Sequence, residues 1–106
     1  MGETMIRSML VSELAERLDI PERTCQRIVS TIVTTIEDAL IDGNRIEIRG
    51  FGTFAVKYRP ARRGRNPLSG KTVDVPPRYT VHFRAGKAMR ETVDFQRLVE
   101  EKARSE

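Results

Sequence analysis

Basic side chains without matching acids dominate the middle of this 106-residue chain. Residues 45–90 hold 12 basic and 2 acidic residues, whereas residues 1–44 hold 4 basic and 8 acidic ones, and residues 91–106 hold 3 and 5. The net charge of +4 therefore conceals a strongly positive central segment. A merely solvated surface usually mixes both signs, so this distribution predicts a face that binds a polyanion.

The densest basic stretch, residues 59–78, has too few large apolar residues to build a core and is typical of a projecting ribbon. The sequence NPLSG at 66–70 indicates a turn, with proline at its second position and glycine where a left-handed residue is needed. Folded about that turn, each limb would run roughly ten residues, or about 33 Å at strand rise. Pro76-Pro77 should interrupt strand pairing in the returning limb. The alternative is a disordered basic loop, and we expect some mobility in the free protein.

Residues that could support catalysis or bind a metal ion are sparse. Two-metal hydrolysis needs clustered carboxylates, but residues 45–90 contain only Glu47 and Asp74, which lie on different predicted strands or limbs. His82 is the single histidine and Cys25 the single cysteine, so a nucleophile–base pair is not expected and no disulfide framework is possible. We interpret Cys25 as a packed small hydrophobe. The sequence predicts a protein that is not an enzyme and uses neither a cofactor nor a metal ion.

Two amphipathic helices are predicted before the basic segment. Apolar residues recur at helical spacing across 10–18, with Ser8 as N-cap and a break at 19–21. A second helix carries a broad apolar stripe across 25–40 and ends at Gly43. Because this stripe is wider than one short neighbouring helix can cover, we expect part of it to meet a partner subunit. The longest uncharged run, 28–36, is too short to span a bilayer.

After Gly43 the apolar period changes from helical to alternating. Residues 45–59 and 79–84 alternate in this way, with a tight reversal at 50–52, and predict a three-stranded antiparallel sheet. One face of this sheet is predicted to be buried and the other to be polar and mostly basic. The five aromatic residues of these segments share the inward face, which argues against binding of single strands by base stacking on exposed rings.

A final helix is predicted from about Lys87, with apolar contacts supplied by Met89, Val93, Phe95, Leu98 and Val99. Its acidic end, 100–106, is expected to fray. The predicted fold is therefore α+β in a single domain covering 1–106. Its parts are a helical dimerisation base at 8–43, a sheet at 45–59 and 79–84, an arm at 59–78, and a C-terminal helix and tail at 86–106.

Three motifs, GFGTF at 50–54, RRGRNPLSGK at 62–71 and HFRAGK at 82–87, resemble those of the bacterial HU and integration host factor family. The resemblance covers about residues 6–95 without a gap. It implies an intertwined dimer in which two N-terminal helices of each chain form the base and the sheets form a saddle. Each sheet extends an arm around double-stranded DNA into the minor groove. It further implies a cytoplasmic, nucleoid-associated architectural protein without a membrane partner, acting as a homodimer or as a heterodimer with a related subunit.

The resemblance makes Pro67 the wedge that enters a base step at each arm tip. Proline suits this role because its ring is rigid and apolar and it has no backbone N–H; the alternative is a turn-former only. The arm cations become phosphate and minor-groove contacts, Gly64 and Gly70 allow close approach, and Lys87 contacts DNA on the flank of the body. His82 could meet DNA or pack at the arm base. The residues expected to contact DNA are Glu47, Arg49, Arg59, Arg62, Arg63, Gly64, Arg65, Asn66, Pro67, Gly70, Lys71, Arg78, Arg84 and Lys87.

The sequence IEIR at 46–49 resembles the beta subunit of integration host factor more than HU. The resemblance implies that Arg49 enters the minor groove beside the body and that Glu47 helps to orient it, giving preference for a narrow, A·T-rich site. The alternatives are a surface pair of little energetic value and, for the protein, HU-like packaging without sequence preference. Val81, which stands where many relatives have proline, and the long acidic tail depart from the family pattern.

Overall fold

The computed structural model describes residues 2–105, which form helices and strands of an α+β fold, as predicted. In chain order the elements are α1 (Arg7–Leu18), α2 (Glu22–Ile41), β1 (Ile46–Ile48), β2 (Gly52–Arg59), β3 (Arg62–Arg65), β4 (Thr72–Val75), β5 (Arg78–Ala85) and α3 (Lys87–Ser105). The chain divides into two compact units, one up to Asp38 and one from Ala39, and each is described by itself. Within residues 2–105, no helix combines the length and the apolar character that crossing a membrane requires.

The two helices of the first unit are separated by a short reversal at the predicted break. Asp19 adopts a left-handed backbone with φ of 53°, and its amide donates to the carbonyl of Ala15. Pro21 lies immediately before α2, and its carbonyl accepts the amide of Cys25 at 3.2 Å. Proline suits this position because amides at a helix start have no partner within the helix, so its missing N–H costs no hydrogen bond.

The start of α1 differs from the prediction. The helix begins at Arg7, and Ile6 occupies the N-cap position without a side-chain hydrogen bond. The carbonyl of Ile6 accepts the amides of Met9 and Leu10 at 3.0 and 3.2 Å. Ser8 already has helical backbone geometry, so it lies inside the first turn. The expectation that Ser8 caps α1 is therefore wrong, because a capping side chain must come from the residue before the first helical one.

The core of the first unit is small. Val11 of α1 and Cys25 of α2 are buried, and they are the only buried hydrophobic residues within 2–105. The interpretation of Cys25 as a packed small hydrophobe is confirmed, since its side chain has no exposed surface. Leu10, Leu18 and Ile32 are exposed, and most other residues of the two apolar stripes are only half-buried, so the single chain covers the stripes incompletely.

The second unit begins where α2 ends and contains the main sheet. Gly43, with φ of 81°, donates its amide to Leu40 and ends the helix, as predicted. The sheet has the order β1-β2-β5, and both pairings are antiparallel. Gly52 begins β2, and an added Cβ there would lie 2.6 Å from the backbone oxygen of Arg84 in β5. This close approach lets β2 pair directly with β5.

Helix α3 is longer and less covered than predicted. It continues to Ser105 and so includes the acidic residues whose fraying was predicted. The fraying itself stays a prediction, and Glu106 lies outside the described residues. An ion pair between Arg97 and Glu100 and basic residues in the last turn stabilise this end. Of the five residues expected to supply apolar contacts, Met89 is half-buried and the others are exposed. The single chain therefore leaves the other four, Val93, Phe95, Leu98 and Val99, without the predicted apolar cover.

Candidate nucleic-acid interface

The register of the main sheet collects polar and basic side chains on one face. Alternation places residues 53, 55, 57 and 59 of β2 on the same face as residues 78, 80, 82 and 84 of β5. Glu47, Thr53 and Arg84 form one row across the three strands, and Arg59 lies opposite Arg78 at the far end. The prediction of a mostly basic face is confirmed.

The opposite face of the main sheet carries the aromatic residues. Phe54 pairs with Phe83 across β2 and β5, with ring centroids 4.8 Å apart, and Tyr58 pairs with Tyr79 at 5.2 Å. Phe51, in the preceding turn, lies 5.3 Å from Phe83. These spacings are those of packed aromatic pairs. The predicted segregation of aromatic and basic faces is confirmed, although Tyr58, Tyr79 and Phe83 are exposed in the single chain.

The basic face is part of an open concavity that also includes the start of α3. Its charged lining comprises Arg45, Lys57, Arg84, Lys87 and Arg90, and His82 lies among them. A concave surface lined by cations of one sign concentrates a positive field, which attracts anions. The structure thus brings two predicted DNA contacts, Arg84 and Lys87, into one surface.

Three residues of this concavity were not among the predicted DNA contacts: Arg45, Lys57 and Arg90. Lys57 could have been found from the alternation that also places Arg59 on the basic face. Arg90 lies one helical turn after Lys87, so the helix period could have identified it as a neighbour of Lys87 on the same face. Arg45 lies two positions before Glu47, so the alternation that places Glu47 on the basic face also identifies the side of the sheet that Arg45 lines.

The start of α3 is held against the turn between β1 and β2. The amide of Gly86 donates to the carbonyl of Phe51 at 2.9 Å, and the carbonyl of Gly86 accepts the amide of Arg90. Lys87 follows at the first helical position, with its Nζ 4.0 Å from the carboxylate of Glu91, and both side chains are exposed. Lys87 therefore combines a mobile cation with the free amides of a helix N-terminus, an arrangement that suits a phosphate.

The arm is a separate two-stranded sheet in which β3 and β4 pair antiparallel. Pro60-Ala61 separates β2 from β3, and Pro76-Pro77 separates β4 from β5. Proline cannot donate a ladder hydrogen bond, so both limbs lose pairing at the same level. The predicted interruption at Pro76-Pro77 is confirmed. The matching break at Pro60 in the outgoing limb was not predicted from the sequence.

Basic side chains of the arm are exposed and nearly free of acidic partners. Arg62, Arg63 and Arg65 lie on β3, and the ion pair between Arg63 and Asp74, 3.6 Å apart, is the only one found in the described arm. Both members of that pair are more than four-fifths exposed. An ion pair in water contributes little, so Arg63 is available to another anion. Gly64, by contrast, is half-buried between valines: an added Cβ would lie 3.3 Å from Val75.

The arm ends in the predicted turn. The amide of Asn66 donates to the carbonyl of Lys71 at 2.8 Å, and the amide of Gly70 donates to the carbonyl of Asn66 at 2.7 Å. Gly70 has φ of 71°, which explains the glycine. The side-chain Oδ1 of Asn66 accepts the amide of Leu68 at 2.9 Å. Pro67 is exposed at this apex, as a wedge requires.

The remaining predicted contacts lie beside the main sheet. Glu47 is in β1, whereas Arg49 is exposed in the turn that follows it. Within residues 2–105 the two side chains form no ion pair with each other. The carboxylate of Glu47 therefore does not compete with another anion for the guanidinium of Arg49. Across the same residues, no cluster of three or more histidine, cysteine, aspartate or glutamate side chains is placed to hold a metal ion.

Comparison with known protein families gives one matching description, bacterial DNA-binding protein, over residues 5–94. The chain is 50% identical over 91 residues to the integration host factor subunit beta of Azoarcus sp. (strain BH72), covering 85% of this chain and 97% of that one. It is 46% identical over 106 residues to the subunit beta of Chromobacterium violaceum, covering 93% of this chain and all of the other.

Solved structures give the same result at the level of the fold. The structure is similar to HU from Anabaena in a cocrystal with DNA, with a TM-score of 0.77 and 31% identity over 84% of this chain and 97% of that one. It is also similar to HU from Thermotoga maritima, with a TM-score of 0.59 and 25% identity over 84% and 98% of the two chains.

Proposed function

The chain belongs to the bacterial DNA-binding protein family. We propose that it is a nucleoid-associated architectural protein that binds double-stranded DNA as a dimer and bends that DNA. The observation that carries this proposal is the arm, a paired ribbon with exposed cations along its strands and a proline at its apex. Two-stranded ribbons are among the elements with which proteins enter the grooves of duplex DNA. The relatives named integration host factor subunit beta and the HU–DNA cocrystal support the same ligand.

Two basic surfaces would hold the phosphate backbone. The concavity formed by the sheet and the start of α3 supplies Arg84 and Lys87 from the predicted set, together with Lys57 and Arg90. The arm supplies its three β3 arginines and the flanking cations Arg59, Lys71 and Arg78. Such contacts fix register and orientation but read no sequence. They make affinity strongly dependent on salt, because each neutralised phosphate releases a counterion.

Pro67 would act as the wedge in the minor groove. It is exposed at the arm apex, its ring cannot flex, and it has no N–H that would be left unpaired between bases. Inserting apolar wedges between base steps is a known way for minor-groove proteins, this family among them, to kink DNA, and unstacking costs a few kcal/mol per step. Phosphate contacts along the arm and body would offset that cost. Two arms, one from each chain, would produce two kinks.

The apolar surface that the single chain leaves exposed supports the proposed dimer. Val11 and Cys25 are the only buried hydrophobic residues within 2–105, whereas large apolar side chains are exposed on every helix and on the apolar face of the sheet. Each fully buried side chain of this type contributes about 1.5–3 kcal/mol, and a small chain without disulfides needs that burial. A second copy, or a related subunit, would cover these surfaces.

Glu47 and Arg49 would give the protein a preference for a narrow, A·T-rich minor groove. Such grooves have an enhanced negative potential that attracts an inserted arginine. Arg49 is exposed in a turn beside the basic face, and its guanidinium has no ion-pair partner in the described chain. The similarity to subunits named integration host factor beta favours this site preference over HU-like packaging without sequence preference.

A competition titration tests the proposed function. Fluorescently labelled A·T-rich and random duplexes of equal length are titrated at several stated salt concentrations. We expect tight binding with a steep loss of affinity as salt rises, and a preference for the A·T-rich duplex. Equal affinity for both duplexes would support the packaging alternative, and salt-independent or absent binding would contradict DNA as the partner.

The proposal also implies that the protein does not cleave DNA. Within residues 2–105 no carboxylate cluster accompanies the basic surfaces, so two-metal chemistry has no ligands there. Incubation with supercoiled DNA and Mg²⁺ should leave the DNA intact. A nicking activity that copurifies with the protein would contradict a purely architectural role.

A further inference from the structure

The arm apex carries a second apolar side chain that the wedge proposal does not use. Leu68, directly after Pro67, is 97% exposed, the highest value among the large hydrophobic residues of the described chain. Apart from Pro67, its neighbours in the turn are Asn66, Ser69 and Gly70, which offer no large apolar surface, and at this exposure Leu68 packs against nothing in the arm. Single exposed apolar residues are common on protein surfaces. A role for Leu68 therefore needs support from the geometry of the apex.

That support comes from the backbone hydrogen bonds of the turn. Pro67 has no N–H, and the N–H of Leu68 donates to Oδ1 of Asn66 at 2.9 Å. Asn66 itself is half-buried and is held at both main-chain groups, donating to Lys71 and accepting from Gly70. The apex thus presents two consecutive residues without a free amide donor. An unpaired N–H placed against base faces would lose its water without compensation.

We infer that Leu68 and Pro67 form one composite apolar wedge, with Leu68 packing against the sugar and base edge beside the step that Pro67 opens. Asn66 is the positioning residue, because its side chain removes the one amide that would oppose insertion. Arg65 and Lys71 flank the apex and would hold the phosphates on either side. This inference rests on the proposed function, since it assigns a partner to Pro67 within the same minor-groove contact.

Leucine variants at the apex test the inference. Leu68→Ser replaces the apolar side chain with a small polar one, and Leu68→Met keeps an apolar side chain of similar size. Binding is measured on an A·T-rich duplex that carries 2-aminopurine beside the kinked step, whose fluorescence rises when the base unstacks. We expect Leu68→Ser to weaken binding about tenfold and to lower the fluorescence rise, because buried leucine surface is removed from each arm. Leu68→Met should stay within about twofold of the wild type.

The salt dependence separates this contact from the phosphate contacts. Leu68→Ser removes no charge, so the slope of log affinity against log salt should remain that of the wild type. A wild-type affinity and fluorescence rise for Leu68→Ser would overturn the inference. Equal losses for Leu68→Ser and Leu68→Met would overturn it too, because they would indicate a turn requirement and not an apolar contact.

Pro67→Ala, measured in parallel, distinguishes failure of the inference from failure of the proposed function. If Pro67→Ala loses the fluorescence rise while Leu68→Ser keeps it, Pro67 is the sole wedge and only the inference is wrong. If both variants unstack the base as the wild type does, the wedge role of the arm is wrong altogether.

Asn66→Ala tests the positioning role. It leaves both apolar side chains in place but frees the Leu68 amide, so we expect a loss of unstacking similar to that of Leu68→Ser. The control is Ser69→Ala, which removes a hydroxyl that accepts the Lys71 amide at 3.3 Å, outside the apex pair. Equal fluorescence rises for Asn66→Ala and the wild type would show that the hydrogen bond to Leu68 is dispensable.

Discussion

Individual residues in this chain are constrained most tightly where two backbones meet. At Gly52 a side chain has no room, because its Cβ would lie 2.6 Å from both the Arg84 carbonyl oxygen and the Phe83 ring. The Phe83 ring belongs to the aromatic pair that joins β2 to β5. Gly52 therefore sets how closely the turn, the basic face and the aromatic face can approach one another.

Gly52→Ala should lower the free energy of unfolding by about 1–3 kcal/mol, the usual cost of overpacking a filled site. Denaturant unfolding at a fixed protein concentration measures the change. Gly2→Ala is the matched control, since no atom lies within 4 Å of its added Cβ, and it should leave stability unaltered. A fully stable Gly52→Ala protein would mean that the turn can move without cost.

The sequence predicted residue roles correctly where a backbone conformation, such as a positive φ, favours one residue type. The NPLSG sequence at 66–70 identified the turn, and Gly70 has the expected positive φ. Ser8 was misassigned because capping depends on the first helical φ and ψ, which the sequence does not show. Arg45 was missed although its alternation with Glu47 places it on the basic face, because the predicted contacts were chosen from the family motifs and not from the period alone.

At the level of elements, the arm is separated from the main sheet by proline in both limbs. Pro60 and Pro76-Pro77 lie between the paired strands at the same level, so the ribbon is attached through unpaired backbone. The alternation of residues in β2 and β5 predicted the sheet and its two faces. The predicted C-terminal helix is present and continues to Ser105, whereas the fraying of its acidic end stays a prediction.

Replacing Pro76 and Pro77 with threonine should extend the pairing between arm and sheet. Threonine restores an amide at each position and favours strand geometry. Because amides of consecutive strand residues point to opposite sides, only one of the two can pair with the outgoing limb. We expect that new amide proton to exchange at least about tenfold more slowly than in an unpaired chain, as measured by hydrogen exchange. Pro67→Ala, which adds an amide at the apex, is the control and should gain no such protection. Unprotected threonine amides would show that the break has another cause.

The β3 arginines should contribute affinity without sequence preference. Replacing Arg62, Arg63 and Arg65 together with alanine should weaken binding to every duplex and reduce the salt slope by about 0.9 for each phosphate that is no longer neutralised. Titrations at several salt concentrations measure both effects. Arg17→Ala, which removes an exposed arginine paired with Glu13 on α1, serves as the control. A weakening confined to one sequence class would mean that these arginines read bases.

At the scale of the whole molecule, the exposed apolar surface predicts association. A dimer is stabilised by mass action, so its thermal midpoint should rise with protein concentration, and sedimentation should give twice the chain mass. A stable monomer with a concentration-independent midpoint would contradict the proposed assembly. The sequence indicated this need for a partner through the wide stripe of α2, but it could not identify the covering surface, because burial depends on contacts between chains.

The central claim is that two arms tipped by Pro67 bend duplex DNA. Energy transfer between dyes at the two ends of an A·T-rich duplex measures this most directly, with Pro67→Ala compared at saturating protein. We predict a large rise in transfer efficiency with the wild-type protein and a clearly smaller rise with the variant, which should still bind. An unchanged end-to-end distance in the wild-type complex, or equal bending by both proteins, would contradict the account.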